Sequence, residues 1–85
     1  MTSQTLTIHL FANLKEKAGT NKLVLEVPQP FTAGDLKKRL KRDYPALSTQ
    51  LSKVVVTVNN GQIFLDEESL PQNAEVTLLP PIGGG

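Results

Sequence analysis

Hydrophobic and polar residues alternate from the start of the chain. In TLTIHLF, Leu6, Ile8 and Leu10 fall on one side and Thr5, Thr7, His9 and Phe11 on the other, the two-residue period of a strand with one buried face. ANLKEKAGT follows and reads as a helical turn closed by Gly19. Alternation returns in KLVLEV, with Leu23, Leu25 and Val27 on one side, until Pro28 and Pro30 end the strand. The next stretch, FTAGDLKKRLKRDYP, switches period. Thr32 stands at the N-cap and Asp35 three residues on, the spacing of a capping box with Asp in place of Glu. Phe31 and Leu36 take the two hydrophobic-staple positions, and Leu36 and Leu40 share the core face. Pro45 stops this helix over 32–43, and ALSTQLS offers one more turn through Leu47 and Leu51.

VVVTV is a β-branched run and predicts a buried central strand. Asn59, Asn60 and Gly61 supply turn chemistry, read as a tight hairpin through Asn60-Gly61 into the short strand QIFL. DEESLPQN is a loop, and AEVTLL is the last strand, with Val76 and Leu78 inward. The order is strand, strand, helix, strand, strand, strand. One long helix covers one face of such a sheet, so the fold class is α+β with a mixed sheet and one bare face. His9, Phe11, Thr57 and Leu79 would lie on that bare face, where an exposed aromatic marks a partner surface.

Composition narrows the function classes. At 85 residues there is room for one domain. The chain has no cysteine and one histidine, His9, which excludes a thiol nucleophile, disulfides and most metal sites. A net charge of +1 gives no global field for nucleic acid. No apolar run is long enough to span a membrane, and MTSQTLTIHL lacks a signal-peptide layout. The expectation is a soluble cytoplasmic module. Lys37, Lys38, Arg39, Lys41 and Arg42 lie opposite Leu36 and Leu40 and read as a solvated helix face. Asp66, Glu67 and Glu68 read as loop surface rather than a calcium site.

The chain closes on PPIGGG. Glycine has no side chain to bury and loses the most freedom on ordering. Gly83, Gly84 and Gly85 are therefore either an inert end or the carriers of a useful carboxylate.

Taken together, FANLKEKAGT at 11–20, VN at 58–59, EV at 75–76 and PPIGGG at 80–85 resemble the ubiquitin-like β-grasp sulfur carriers, and within them the family of molybdopterin synthase small subunits. Lys15 stands where that family usually has Arg, QNAEV at 72–76 replaces an Asp-Gly turn with Asn73 able to take its left-handed position, and Gly83 replaces a small side chain. The resemblance implies a β-grasp fold over 1–79 and a flexible tail over 80–85. It also implies a route: an E1-like adenylyltransferase uses ATP to adenylate Gly85, a persulfide supplies sulfur, and the resulting thiocarboxylate donates it to a cyclic pterin precursor in molybdenum cofactor biosynthesis. Gly85 and Gly84 are then the reactive end. Phe11, Lys15, Leu79, Pro80, Pro81, Ile82 and Gly83 would contact partners, above all the large subunit in a heterotetrameric synthase. No metal and no permanently bound cofactor are implied. The tail would be unpacked because it must be threaded into other enzymes' pockets. Six residues from Pro80 reach at most about 20 Å, glycines pass a narrow channel, and the two prolines keep the exit from folding back. Three other readings stay open: a sulfur carrier for thiamin thiazole or cysteine synthesis, a ubiquitin-like modifier joining Gly85 to lysines, and a plain interaction module.

Overall fold

The apolar side of each alternating stretch is buried in one core. A computed structural model describes residues 3–59 and 61–79. The elements are β1 (Ser3–Leu10), α1 (Ala12–Ala18), β2 (Lys22–Pro28), α2 (Ala33–Asp43), a 3-10 turn (Pro45–Leu47), α3 (Ser48–Leu51), β3 (Val55–Val58), β4 (Gln62–Phe64) and β5 (Glu75–Leu79). The strands form one five-stranded sheet in the order β2-β1-β5-β3-β4. β1 and β5 are parallel and the other pairs antiparallel. Leu6, Ile8 and Leu10 of β1, Val76 and Leu78 of β5, and Val56 and Val58 of β3 meet Leu14, Leu36, Leu40, Leu47 and Leu51 in a single cluster. All the helices therefore cover the same face of the sheet. This is the β-grasp arrangement.

Two expectations need correction. VVVTV is not the central strand: β3 is one in from the edge, and β5 occupies the middle. Its β-branched run is buried because its core face holds Val56 and Val58 while Thr57, on the other face, is only 5% exposed. The hairpin is also wider than a two-residue turn. Val58 pairs with Gln62, so residues 59–61 connect the strands, with Asn59 at φ 52° and Gly61 at φ 92°. Asn60 lies outside the described residues.

The start of α2 shows why this helix sits where it does. Thr32 Oγ1 accepts from the Asp35 N–H at 3.0 Å, and the Asp35 carboxylate accepts from the Thr32 N–H at 3.1 Å. The next free donors are met by the loop after β4: Ala33 N–H donates to the Glu68 carbonyl and Gly34 N–H to the Asp66 carbonyl. All four N–H groups that a helix start leaves without partners are thus satisfied. Lys37 Nζ adds an ion pair to Asp66 at 2.8 Å. Arg39 and Arg42 both donate to Asp43, and the Arg39 hydrogen bond is the first cause holding that carboxyl below its ordinary range. This exposed contribution is present at neutral pH and fades as pH falls through the depressed value.

Gly34 is where the helix and the loop come closest. A Cβ there would stand 3.0 Å from the Asp66 carbonyl oxygen, and that oxygen is already fixed by the Gly34 N–H at 2.8 Å. Alanine gains about 1 kcal/mol of helix propensity over glycine, but overpacking costs about 1–3 kcal/mol. Gly34→Ala is expected to lower stability in urea unfolding. A rise would mean that the loop yields.

Candidate functional site

β5 pairs with β1 on one side and β3 on the other. Its last residue, Leu79, therefore stands in the middle of the sheet. The register shows what surrounds it. Leu10 pairs with Leu78, Leu79 with Val55, and Val56 with Phe64. One step along each ladder, Phe11, Leu79, Val55 and Leu65 line up as a row across the end of the sheet. Alternation puts this row on the face away from the helices. Phe11 is 52% exposed and Leu79 39%, Leu65 is exposed, and Val55 is half-buried. The neighbouring row runs Lys22, His9, Thr77, Thr57 and Ile63, and Ile63 is exposed too. The bare face is thus apolar at the Leu79 end and polar further back.

Thr57 belongs to this face as expected but is not part of its exposed surface. Its hydroxyl donates to the Thr77 carbonyl at 3.0 Å beneath its neighbours. His9 Nε2 lies 3.0 Å from Glu75 Oε1 on the adjacent strand, so it is a surface strand residue with a local partner.

Phe11 is displayed by an unusual turn. The strand stops at Leu10, and Phe11 is the extended N-cap of α1 rather than a strand residue. Its carbonyl accepts from the N–H groups of Leu14 and Lys15. Ala12 then takes φ 52°, a left-handed conformation that costs an L-residue about 1–2 kcal/mol. That turn swings α1 toward the core, where Leu14 is buried, and leaves the Phe11 ring outside. Lys15 is exposed on the same helix, one turn from Phe11. Gly19, at φ 78°, closes α1 as its composition predicts. Asn73, at φ 54°, holds the left-handed position before β5; its side chain accepts from the Thr5 N–H, and its own N–H donates to the Gln4 side chain.

Phe11, Lys15 and Leu79 therefore stand at one end of the molecule. Pro80, Pro81, Ile82, Gly83, Gly84 and Gly85 lie outside the described residues. The sequence pattern missed Val55, Ile63 and Leu65. Their membership in the exposed rows depends on the pairing of β3 with β4 and β5, and only the strand character of QIFL hinted at it. Among the described residues, no helix is long and apolar enough to cross a membrane.

A family model described as the ThiS family matches residues 8–85. The chain belongs to this family. The molybdopterin synthase sulfur carrier subunit of Dictyostelium discoideum is 32% identical over 85 residues, covering 98% of this chain and 99% of that protein. Small archaeal modifier protein 1 of Haloferax volcanii is 30% identical over 83 residues, covering 89% of this chain and 95% of that protein. Among solved structures, the crystal structure of SAMP1 from Haloferax volcanii superposes with a TM-score of 0.79 at 27% identity, covering 95% of this chain and 99% of the other. This ThiS-family chain thus matches its relatives in length as well as in fold.

Proposed function

We propose that the chain is the sulfur carrier subunit of a molybdopterin synthase. The observation that carries this reading is the end of β5: its last residue, Leu79, stands in the middle of the sheet within the exposed Phe11–Leu79–Leu65 row. A partner seated on that row would receive the tail directly. Similarity to a molybdopterin synthase sulfur carrier subunit over 98% of the chain supports the assignment. In this reading Gly85 is the working residue. An E1-like adenylyltransferase joins its carboxylate to AMP from ATP, making an acyl group that sulfur can attack. Pyrophosphate leaves as the adenylate forms; the donor's terminal persulfide sulfur then attacks the carbonyl carbon and expels AMP, and a donor thiol cleaves the resulting acyl disulfide, which releases the thiocarboxylate and leaves a disulfide on the donor. The thiocarboxylate sulfur then serves as nucleophile toward a cyclic pterin precursor in the large subunit's pocket. Gly84 and Gly83 pass the channel wall, and Pro80, Pro81 and Ile82 set the tail's exit. The carrier contributes no side chain to bond making. It holds no cofactor of its own and acts as a subunit of a cytoplasmic complex.

Incubation with an E1-like adenylyltransferase, ATP and a sulfur donor tests the reading. Intact-protein mass spectrometry should show the gain of one oxygen-to-sulfur exchange, dependent on ATP and confined to the terminal peptide. An unchanged mass overturns it. The similarity to small archaeal modifier protein 1 favours one second reading, a modifier attached through Gly85 to lysines of other proteins. That reading requires an isopeptide-linked product instead of a free thiocarboxylate.

The apolar row gives a separate prediction. Phe11→Ala should weaken binding to a molybdopterin synthase large subunit by about 1–3 kcal/mol, as for an aromatic anchor. It should shift unfolding free energy by no more than about 0.5 kcal/mol, because the ring is 52% exposed already. Isothermal titration calorimetry and urea unfolding separate the two effects. Loss of folding with binding would show the ring to be structural.

A further inference from the structure

The sheet has two edges, and β2 carries a pattern that pairs with itself. His9 stands opposite Lys22, so Leu10 is next to Asn21, and the Leu10 N–H donates to the Asn21 carbonyl at 2.9 Å. In an antiparallel ladder, alternate residues turn both backbone groups toward the partner strand and the residues between them turn both away. Counting from Asn21, Leu23, Leu25 and Val27 bond to β1. Lys22, Val24 and Glu26 direct their backbone groups to the outer edge, where the Thr20 hydroxyl already accepts from the Lys22 N–H and donates to the Lys22 carbonyl. The opposite side of β1 agrees with this phase, since Thr5 and Thr7 donate away from β2, to the Asn73 side chain and the Ala74 carbonyl. Lys22, Val24 and Glu26 also share the bare face of the sheet, and Val24 is 61% exposed.

We propose that this edge binds a second copy of the chain, β2 against β2 and antiparallel, about a two-fold axis at Val24. In that register Val24 meets the second copy's Val24, Lys22 meets its Glu26, and Glu26 meets its Lys22. Every outward N–H then faces an outward carbonyl, the second copy's Glu26 backbone taking the place of the Thr20 hydroxyl on Lys22, and both opposite-charge pairs fall directly across the strands, where such pairs stabilise and like charges destabilise. The neighbouring register, centred on Leu25, sets Lys22 against Pro28, which has no N–H to give, and separates the charges. Charges on an edge strand ordinarily block sheet-to-sheet pairing. Here their signs are opposite and symmetric about an exposed valine, so two copies complement each other. The pairing joins two sheets into one. It leaves β5 of each copy beyond its own β1, so both Leu79 ends and both Phe11 rows stay open. A contact of this length buries less than the roughly 1,600 Å² of a standard interface, so association is weak and concentration-dependent.

Sedimentation equilibrium and amide hydrogen exchange by NMR, up to about 1 mM chain, test the proposal. Protection of the Lys22, Val24 and Glu26 amides should rise with concentration, while Leu23 and Leu25 stay protected throughout. Lys22→Glu and Glu26→Lys each place like charges opposite one another and should weaken self-association about tenfold or more. An equal mixture of the two variants should associate as the parent does, and so should the double variant. All the altered side chains are exposed, and circular dichroism confirms that each variant is folded. A parent chain that sediments as a monomer throughout overturns the proposal. So does self-association that survives both single variants, that mixing does not restore, or that protects other amides.

Discussion

Deleting Gly84 and Gly85 should abolish sulfur loading and pterin sulfuration while leaving the unfolding free energy within about 0.5 kcal/mol of the parent. The two readouts separate because glycines carry no side chain to bury; among the described residues, the buried cluster runs from Leu6 to Leu78. The terminal carboxylate of Gly85, by contrast, is the group that adenylation would activate in the proposed reading. Adding one residue after Gly85 should be nearly as harmful as the deletion. It moves the carboxylate by about 3.5 Å, far more than near-attack geometry tolerates. Intact-protein mass spectrometry with the activating enzyme decides both cases. If the extended chain still gains sulfur at its new terminus and supports synthesis at the normal rate, the threaded carboxylate is wrong and a plain interaction module becomes the better account.

The largest loss of stability is expected from Leu36→Ala. Leu36 is fully buried at the fourth position of α2, against the sheet and one turn after the capping box. Phe31, just before the cap, is buried with it. Truncation removes apolar surface and leaves a cavity that the anchored helix start cannot collapse to fill, since its donors are tied to Asp66 and Glu68. The cost should be about 3 kcal/mol, within the range for buried leucines, out of the 5–15 kcal/mol that holds a typical domain together. The urea midpoint should fall with no change in slope. A loss below about 1 kcal/mol would mean that α2 repacks.

Much of this fold could be read before the coordinates. Local signals need no tertiary information: the alternation in β1 and β2, the Thr32–Asp35 box, Gly19 at a left-handed helix end. Strand order was another matter. The run at 54–58 looked central because every residue is apolar or β-branched, yet the middle belongs to β5, whose Glu75 and Thr77 dilute the apolar signal. Which strand lies beside which is decided by long-range pairing, and no window of sequence contains it. The same limit applied at the site. Phe11 and Leu79 were placed on the bare face by alternation. The turn that displays Phe11 was invisible, because alanine at position 12 gives no sign of a left-handed backbone. Val55 and Leu65 joined the row only once two ladders were in register.

The parallel pairing of β1 with β5 has a consequence for how the protein is made. β5 is synthesised after every strand it joins, yet it is the strand that holds the two halves of the sheet together. Until it emerges from the ribosome, the hairpin of β1 and β2 and the hairpin of β3 and β4 share no backbone ladder, and each shows an open edge. The sheet therefore closes after translation of residues 75–79, through contacts of the widest sequence separation in the domain, which makes closure slow for a chain of this size. A nascent chain that stalls before Glu75 is left with two unmatched hairpins, exposed to aggregation and to proteolysis. Residues 80–85 follow β5 directly in the sequence, so the segment that carries Gly85 is synthesised immediately after the strand that completes the sheet.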